Sequence, residues 1–154
     1  MFLEIFIIKP MPLPKTPFLT VDGIIEYGQD SILIIERGKE PYGYALPGGF
    51  VELGEDIKSA IIRELKEETN LDVEVKDLLG IYSDPKRDPR GHTVTAVFIC
   101  SPLSADQKPV SGDDAKKVMI FKISEIPFDK LVFDHSQIIT DYIEWKTKKK
   151  VFIR

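Results

Sequence analysis

Five glutamates cluster in the segment from Gly49 to Leu71, which reads GFVELGEDIKSAIIRELKEETNL. They are Glu52, Glu55, Glu64, Glu67 and Glu68. Carboxylates at such close quarters repel one another unless a cation gathers them, and Mg²⁺ is held by oxygen ligands while it keeps waters and substrate phosphates. The segment therefore predicts a divalent-metal site whose chemistry involves a phosphate group.

The spacing of these glutamates predicts that part of the cluster shares one face of a helix. Glu64, Glu67 and Glu68 are neighbours on a helical surface, because residues three and four apart lie on the same side. An adjoining apolar arc can pack against a core; it consists of Ile57, Ile61, Ile62 and Leu65. A solvated acidic face is the alternative, but such a face would intersperse lysine at i+4, and this face carries none because Lys66 points elsewhere on the helix. The metal site is therefore the stronger interpretation.

The fixed positions of this segment form a longer pattern. It runs Gly49, five residues, Glu55, seven residues, then RELKEETNL from Arg63 to Leu71. This pattern resembles the Nudix box, the signature of hydrolases that cleave nucleoside diphosphates linked to another moiety. The family usually has glycine where this chain has Asn70. Asparagine is the next best occupant of a left-handed residue at a helix end, so the difference leaves the carboxylates intact.

The resemblance implies a metal centre built from the box. Glu64 and Glu68 would be the inner ligands of Mg²⁺, with Mn²⁺ as an alternative ion. Glu55, Glu67 and the carbonyl of Gly48 would complete the metal site. The turn Pro47-Gly48-Gly49 would expose that carbonyl, because glycine allows a close backbone approach. Arg63 would orient a carboxylate by a bidentate pair.

The resemblance leaves the general base open. In some family members a glutamate of the box is the base, and Glu64 and Glu67 are the catalytic candidates here, together with Arg63. In other members the base comes from a downstream loop. The segment Ser111-Gly112-Asp113-Asp114 offers Asp114 for that role, whereas a plain turn is the alternative because Gly-Asp sequences favour turns.

The segment Tyr82–His92, YSDPKRDPRGH, predicts a stiff basic loop. Two prolines restrict it, and Arg87 and Arg90 could receive a substrate phosphate. The alternative is a simple connection in which these charges pair with Asp84 and Asp88. We take Arg87 and Arg90 as substrate-binding candidates.

Four stretches together are similar to the bacterial and archaeal ADP-ribose pyrophosphatase branch of the family. They are TPFLTVDGII, PYGYALPGGFVELGE, YSDPKRDPRGH and FDHSQII, and the match covers most of residues 17–145. The resemblance implies that ADP-ribose and water give AMP and ribose 5-phosphate, with Gly49 close to the substrate. Two alternatives stay open: hydrolysis of an oxidised nucleoside triphosphate, NDP-sugar or dinucleoside polyphosphate, and a non-catalytic ADP-ribose sensor, whose box should be degraded.

The apolar patterns predict one α+β domain over residues 1–154, and the resemblance implies a Nudix-type α/β/α sandwich around a mixed β-sheet. Residues 1–16 would form an N-terminal strand and a proline-rich connector. The other predicted elements are strands at Leu19–Tyr27, Ser31–Arg37, Asp72–Ser83, His92–Ser101 and Lys117–Ile123, and helices at Glu55–Asn70 and His135–Lys149. We expect Trp145 to face the core and His135 to cap the last helix.

The whole chain favours a cytoplasmic enzyme that acts on a small molecule. Its net charge of −4 over 154 residues argues against a general nucleic-acid-binding surface. The opening MFLEIFIIKP is too short to span a membrane and lacks a basic leader. The single cysteine, Cys100, suits a reducing compartment. A homodimer is expected because relatives pair and the N-terminal strand would otherwise expose an edge.

Overall fold

The computed structural model of this chain describes residues 12–112 and 114–154, which contain eight strands, two α-helices and two short 3₁₀ helices. The N-terminal strand predicted from MFLEIFIIKP lies outside the described residues. The strands are β1 (Phe18–Tyr27), β2 (Ser31–Arg37), β3 (Tyr44–Ala45), β4 (Gly48–Phe50), β5 (Val73–Tyr82), β6 (Thr93–Pro102), β7 (Ala115–Lys122) and β8 (Phe152–Ile153). The helices are α1 (Ile57–Thr69) and α2 (His135–Lys148), with 3₁₀ turns at Ile123–Glu125 and Phe128–Lys130.

The strands form one mixed sheet in the order β3-β2-β1-β6-β5-β8, with β4 paired to β1 and β7 paired to β2. Strand β1 is the centre of this arrangement. It runs parallel to β6 over eight residue pairs from Phe18 to Ile25, and antiparallel to β4 and β2. A parallel pair needs a long crossover, so strands distant in sequence meet along β1.

The two helices cover opposite faces of the sheet. Alternate residues of a strand point to opposite sides, and β1 divides its apolar residues accordingly: Val21 packs in the core cluster of α1, whereas Ile24 packs in that of α2. Gly23 lets α1 approach closely, since a Cβ there would lie 2.9 Å from the Leu65 side chain. The predicted α/β/α sandwich is confirmed.

Helix α1 has well-defined ends. The Asp56 carboxylate accepts hydrogen bonds from the N–H groups of Lys58 and Ser59, both at 3.0 Å, so the helix begins one residue later. At the other end Asn70 adopts the left-handed conformation, with φ 57° and ψ 18°. The expectation for Asn70 is confirmed, whereas the predicted start at Glu55 is wrong by two residues.

The apolar arc of α1 is narrower than expected. Ile61 and Leu65 are fully buried, but Ile57 and Ile62 remain 36% and 38% exposed. The last helix agrees better with expectation, since Trp145 is buried in the core cluster of α2. The sheet covers only the stripe of α1 that faces it, so residues at the margins of the arc stay in contact with solvent.

Three short strands escaped prediction because two or three residues carry no periodicity. One of them, β4, contains Gly48 and Gly49, which were expected to form a turn. Instead they pair with Asp22 and Val21 of β1. This pairing fixes the glycines against the sheet next to α1.

No helix in the described part of the chain is both long enough and apolar enough to cross a membrane.

Candidate active site

A cavity of about 220 Å³ lies where β1, β4, the last turns of α1 and the first turn of α2 meet. Its lining mixes charges of both signs. The acidic residues are Asp22, Glu52, Glu64, Glu68, Asp88 and Asp114, and the basic or imidazole residues are Arg37, Lys39, Arg87, Arg90 and His135. Such a lining suits an anionic ligand that binds together with a cation.

Two glutamates of α1 enter this cavity beside the glycines of β4. A Glu68 carboxylate oxygen accepts the N–H of Gly48 at 2.9 Å. The Glu64 carboxylate lies against Gly49 so closely that a Cβ there would come within 2.4 Å of it. A side chain at position 49 would therefore displace the Glu64 carboxylate from its place in the cavity, which gives a steric reason for the glycine of the box.

Arg63 donates hydrogen bonds to three carboxylates of the box. Its Nε and Nη2 donate to the two oxygens of Glu55, each at 2.8 Å, which is the expected bidentate geometry. Its Nη1 donates to Glu64 at 2.8 Å and to Glu67 at 3.2 Å, and Nη2 also donates to the Phe50 carbonyl at 3.0 Å. The hydrogen bonds from Arg63 lower the pKa of Glu55 to about 2. Glu55 and Glu67 are not among the residues that line the cavity.

The two cavity glutamates are placed where a cation would stabilise them. Burial, with the nearby charges of Glu64 and Asp22, raises the pKa of Glu68 to about 8, against the lowering effect of the Gly48 N–H. Burial also raises the pKa of Glu64. A divalent ion between such oxygens would offset their repulsion, so the donor set fits a hard cation.

The predicted metal ligands do not converge on one point in this structure. Within residues 12–112 and 114–154, no three Asp, Glu, His or Cys side chains converge closely enough to hold an ion. Arg63 holds Glu64 and Glu67, whereas Glu68 turns towards Gly48.

The downstream loop contacts the end of α1. The N–H of Val110 donates to the Thr69 carbonyl at 2.9 Å, and the N–H of Gly112 donates to the Glu68 carbonyl at 3.2 Å. These bonds satisfy helix carbonyls that have no partner within the helix. They bring Asp114 to the cavity, where its carboxylate pairs with Lys39.

Arg87 is buried and already paired. Its guanidinium donates to both oxygens of Asp134, at 2.8 and 3.0 Å, and to the Thr93 hydroxyl at 2.8 Å. The alternative partner considered from sequence, Asp84, is not among these contacts. Arg87 therefore fastens the basic loop to the start of α2 while it lines the cavity.

Arg90 pairs with its near neighbour Asp88 and stays accessible. Its Nε and Nη2 donate to the Asp88 carboxylate at 3.0 and 2.8 Å. The guanidinium also lies 5.1 Å from the centre of the Phe133 ring and 5.7 Å from that of Phe50. Since the side chain is 41% exposed, Arg90 can meet a ligand at the cavity mouth.

The expectation that His135 caps α2 is wrong. Its ring is buried, and its Nδ1 accepts a hydrogen bond from the Leu46 N–H at 2.9 Å. Sequence reasoning also missed Asp22 and Arg37 as cavity residues. Asp22 carried a usable signal, because it is a charged residue on the same strand face as the buried Ile24.

Comparisons with known proteins agree with this geometry. The model of the NUDIX domain family matches residues 16–142. An ADP-ribose pyrophosphatase of Methanocaldococcus jannaschii is 50% identical over 141 residues, which cover 90% of this chain and 80% of that protein. The ADPR-responsive transcriptional repressor NtrR of Acinetobacter baylyi is 38% identical over 80% of this chain. The matched part covers only 52% of the repressor.

A solved structure supports the same assignment. It is a bifunctional NMN adenylyltransferase/ADP ribose pyrophosphatase of Francisella tularensis, complexed with AMP and a manganese ion. The TM-score is 0.71 at 32% identity, with 84% of this chain and 42% of that one covered. The predicted resemblance to the family and to its ADP-ribose pyrophosphatase branch is confirmed. With its box glutamates set around the glycines of β4, this chain belongs to the Nudix family.

Proposed function

We propose that this chain hydrolyses the pyrophosphate link of ADP-ribose to AMP and ribose 5-phosphate. The observation that carries the proposal is the meeting of Glu64 and Glu68 with the guanidinium groups of Arg37 and Arg90 at one cavity. Carboxylates that attract a cation and arginines that attract phosphate are the two requirements of pyrophosphate hydrolysis. The similarity to the M. jannaschii ADP-ribose pyrophosphatase supports the choice of substrate.

The metal centre of this proposal uses Mg²⁺, with Mn²⁺ as a substitute. Nudix hydrolases generally use divalent metal ions. The proposed ligands are Glu55, Glu64, Glu67, Glu68 and the carbonyl of Gly48. When bound, the ion offsets charge on the phosphoryl oxygens and makes water easier to deprotonate.

The remaining residues orient the reactants. Arg63 fixes the Glu55 carboxylate through two hydrogen bonds. Arg90 and the backbone at Gly49 meet the diphosphate, and Arg87 keeps their loop against α2 through Asp134. In this proposal the negative substrate lies between the arginines and the box.

The general base is a carboxylate next to the attacking water. Glu64 and Glu67 of the box are two candidates, and Asp114, paired with Lys39 at the cavity, is the third. Replacing each by the isosteric amide separates them, because loss of the base lowers kcat more than KM. The candidate whose amide variant leaves kcat unchanged is excluded.

The test is product analysis with a panel of nucleotides, in Mg²⁺ and in EDTA, for the wild type and Glu68→Gln. We expect AMP and ribose 5-phosphate from ADP-ribose, no product in EDTA, and a strong reduction in the variant. Lys58→Gln, an exposed change on the same helix, is the matched control and should be fully active. Preference for an NDP-sugar, an oxidised triphosphate or a dinucleoside polyphosphate would reject ADP-ribose as the substrate.

A second candidate is an ADP-ribose sensor without turnover. The similarity to the NtrR repressor favours it. Against it stand the five box residues Glu55, Arg63, Glu64, Glu67 and Glu68, all present in this chain. The same assay decides, since ADP-ribose binding without any hydrolysis would identify the sensor.

We propose further that the protein acts as a homodimer in the cytoplasm. Exposed Phe18 and Leu19 at the start of β1, with Phe50 in edge contact with Phe18, form an apolar surface that a second subunit could cover. The single cysteine, Cys100, is buried, which suits a reducing compartment. A solution mass near 17.5 kDa by light scattering would reject the dimer.

A further inference from the structure

Asp22 and His135 lie together in the cavity, and the proposed chemistry does not use either of them. They come from β1 and from the first residue of α2, and they are 8% and 2% exposed. The His135 Nε2 lies 3.6 Å from the Asp22 Oδ1. That separation is too long for a hydrogen bond, so the two groups do not satisfy each other.

The protonation of His135 follows from its backbone contact. The Leu46 N–H donates to Nδ1 at 2.9 Å, so Nδ1 must carry a lone pair and the proton of the neutral ring sits on Nε2. Burial lowers the pKa of His135 to about 3, so the ring is neutral at physiological pH. His135 is therefore a fixed hydrogen-bond donor at Nε2.

Asp22 supplies the matching acceptor. The Thr95 hydroxyl donates to its Oδ2 at 2.7 Å, and the Arg87 guanidinium lies 3.7 Å from the same oxygen. The other oxygen, Oδ1, faces His135 and lies against Gly48. Among the described residues, neither Oδ1 nor the His135 Nε2 has a hydrogen-bond partner, and neither is a fully buried atom, so both remain accessible to a ligand in the cavity that they line.

A donor and a carboxylate acceptor less than 4 Å apart are complementary to a hydroxyl group, which can accept from one and donate to the other. Carboxylates bind ribose hydroxyls in this manner at nucleotide sites. The location fits the same ligand. Asp22 lies beside Gly48, and the Gly48 N–H holds Glu68, so the pair is adjacent to the box. In ADP-ribose, the groups on both sides of the pyrophosphate are riboses.

We propose that Asp22 and His135 bind a ribose hydroxyl next to the scissile pyrophosphate, and that they determine specificity for ribosylated substrates. The inference rests on the proposed function for the identity of the substrate. It assigns His135 as the donor to that hydroxyl and Asp22 as its acceptor. Thr95 is then a positioning residue, since it holds Oδ2 and leaves Oδ1 for the ligand.

Two variants isolate the pair. His135→Asn keeps an oxygen that can accept the Leu46 N–H but removes the donor at Nε2, and Asp22→Asn removes the charge of the acceptor with no change in size. Asp77→Asn makes the same chemical change at an exposed position of β5 and is the matched control. Thermal unfolding of each variant checks that it is folded.

The experiment combines these variants with ADP-ribose analogues that each lack one hydroxyl, from the adenosine ribose (2′ or 3′) or from the terminal ribose (2″ or 3″). For the wild type, we expect kcat/KM to fall about ten- to hundredfold for the analogue that lacks the bound hydroxyl. In both variants, kcat/KM for ADP-ribose should fall by a similar factor. For that analogue, kcat/KM of the variants should be no lower than that of the wild type. The analogue that behaves this way identifies which ribose is bound.

Two results would overturn the proposal. One is a wild type whose kcat/KM for each of the four analogues equals its kcat/KM for ADP-ribose. This result needs no variant. The other is a pair of variants that lose the same factor on every substrate, as a purely structural role requires. Binding of the same compounds by calorimetry in EDTA separates this proposal from the proposed function. The same pattern in binding, without turnover in Mg²⁺, would support the hydroxyl contact and reject the hydrolase, whereas neither binding nor turnover of ADP-ribose in the presence of Mg²⁺ would reject both.

Discussion

Arg63 is the residue that turns separate glutamates into one unit. One guanidinium reaches Glu55 with two hydrogen bonds and contacts Glu64 and Glu67 with a third nitrogen. Because the Arg63 side chain is only partly buried, its ion pairs contribute little to stability. Its main role is to orient the carboxylates. The planar guanidinium has hydrogen-bond donors in fixed directions, so it can orient two carboxylates at once, whereas an ammonium group cannot.

We therefore expect Arg63→Lys to lower kcat or metal affinity by about 10- to 100-fold, as for other residues that orient metal ligands. Stability should change little. The measurement is kcat as a function of Mg²⁺ concentration, together with urea unfolding. Lys58→Arg, on the exposed side of α1, is the control. Unchanged kinetics in Arg63→Lys would mean that the glutamates are positioned without this side chain.

The buried imidazole of His135 makes stability depend on pH. Its pKa is about 3 in the folded protein, against 6.5 for an exposed histidine. Below pH 6.5 the unfolded chain gains a proton that the folded chain does not, so the free energy of unfolding falls as the pH falls from 6.5 towards 3. The slope for this one group is about 1.4 kcal/mol per pH unit.

Urea unfolding at pH 7 and pH 5 tests this effect in the wild type and His135→Asn. Between these values the wild type should lose about 2 kcal/mol more stability than the variant, because the variant lacks the titrating ring. Carboxylates titrate in both proteins and cancel in the comparison. An equal loss in the two proteins would show that His135 takes up its proton over the same pH range in the folded and the unfolded protein.

At the scale of elements, α1 is held at both ends by polar contacts. Asp56 satisfies the first N–H groups, and the loop at Val110 and Gly112 satisfies the last carbonyls. Asn70 ends the helix in a left-handed conformation, and its N–H donates to the Lys66 carbonyl. These contacts fix the length of the helix and hence the orientation of Glu64 and Glu68.

The left-handed conformation of Asn70 explains why this chain tolerates a departure from the usual box glycine. Asn70→Gly should leave activity unchanged and stability within a few tenths of a kcal/mol. Asn70→Ala should lower the free energy of unfolding by about 1–2 kcal/mol, because alanine pays the steric cost of positive φ. Chemical denaturation of the two variants makes the comparison. An alanine variant as stable as the wild type would contradict the structural role given to Asn70.

At the scale of the whole molecule, the cavity joins elements that are far apart in the sequence. It draws on β1, β4, α1, the basic loop and α2. A cation that binds only the folded form stabilises the entire domain by mass action. The box is therefore linked to global stability as well as to chemistry.

Mg²⁺ at about 100 times its dissociation constant should add about 2.7 kcal/mol to the free energy of unfolding. For a domain of this size the melting temperature should rise by about 5–10 °C. Calorimetry with Mg²⁺ and with EDTA measures the shift. Glu68→Gln should lose most of it, and Lys58→Gln should retain all of it. An identical shift in both variants would place the stabilising ion outside the box.

The sequence by itself determined the box, its helix and the family. The spacing of Glu64, Glu67 and Glu68 places them on one face, because contacts between residues three or four apart are set by helical geometry alone. Long apolar runs likewise predicted α2 and the major strands with ends accurate to a few residues. Local chemistry also predicted the left-handed Asn70.

Only the tertiary structure decided what surrounds the box. Arg87 pairs with Asp134, 47 positions away, whereas the alternative considered from sequence paired the charges of this loop with Asp84 and Asp88. His135 belongs to the cavity and not to a helix cap, since β1 brings Asp22 to it and the segment between β3 and β4 brings Leu46. Spacing rules describe contacts within one element, whereas these contacts depend on the order of strands in the sheet and on which face each helix covers.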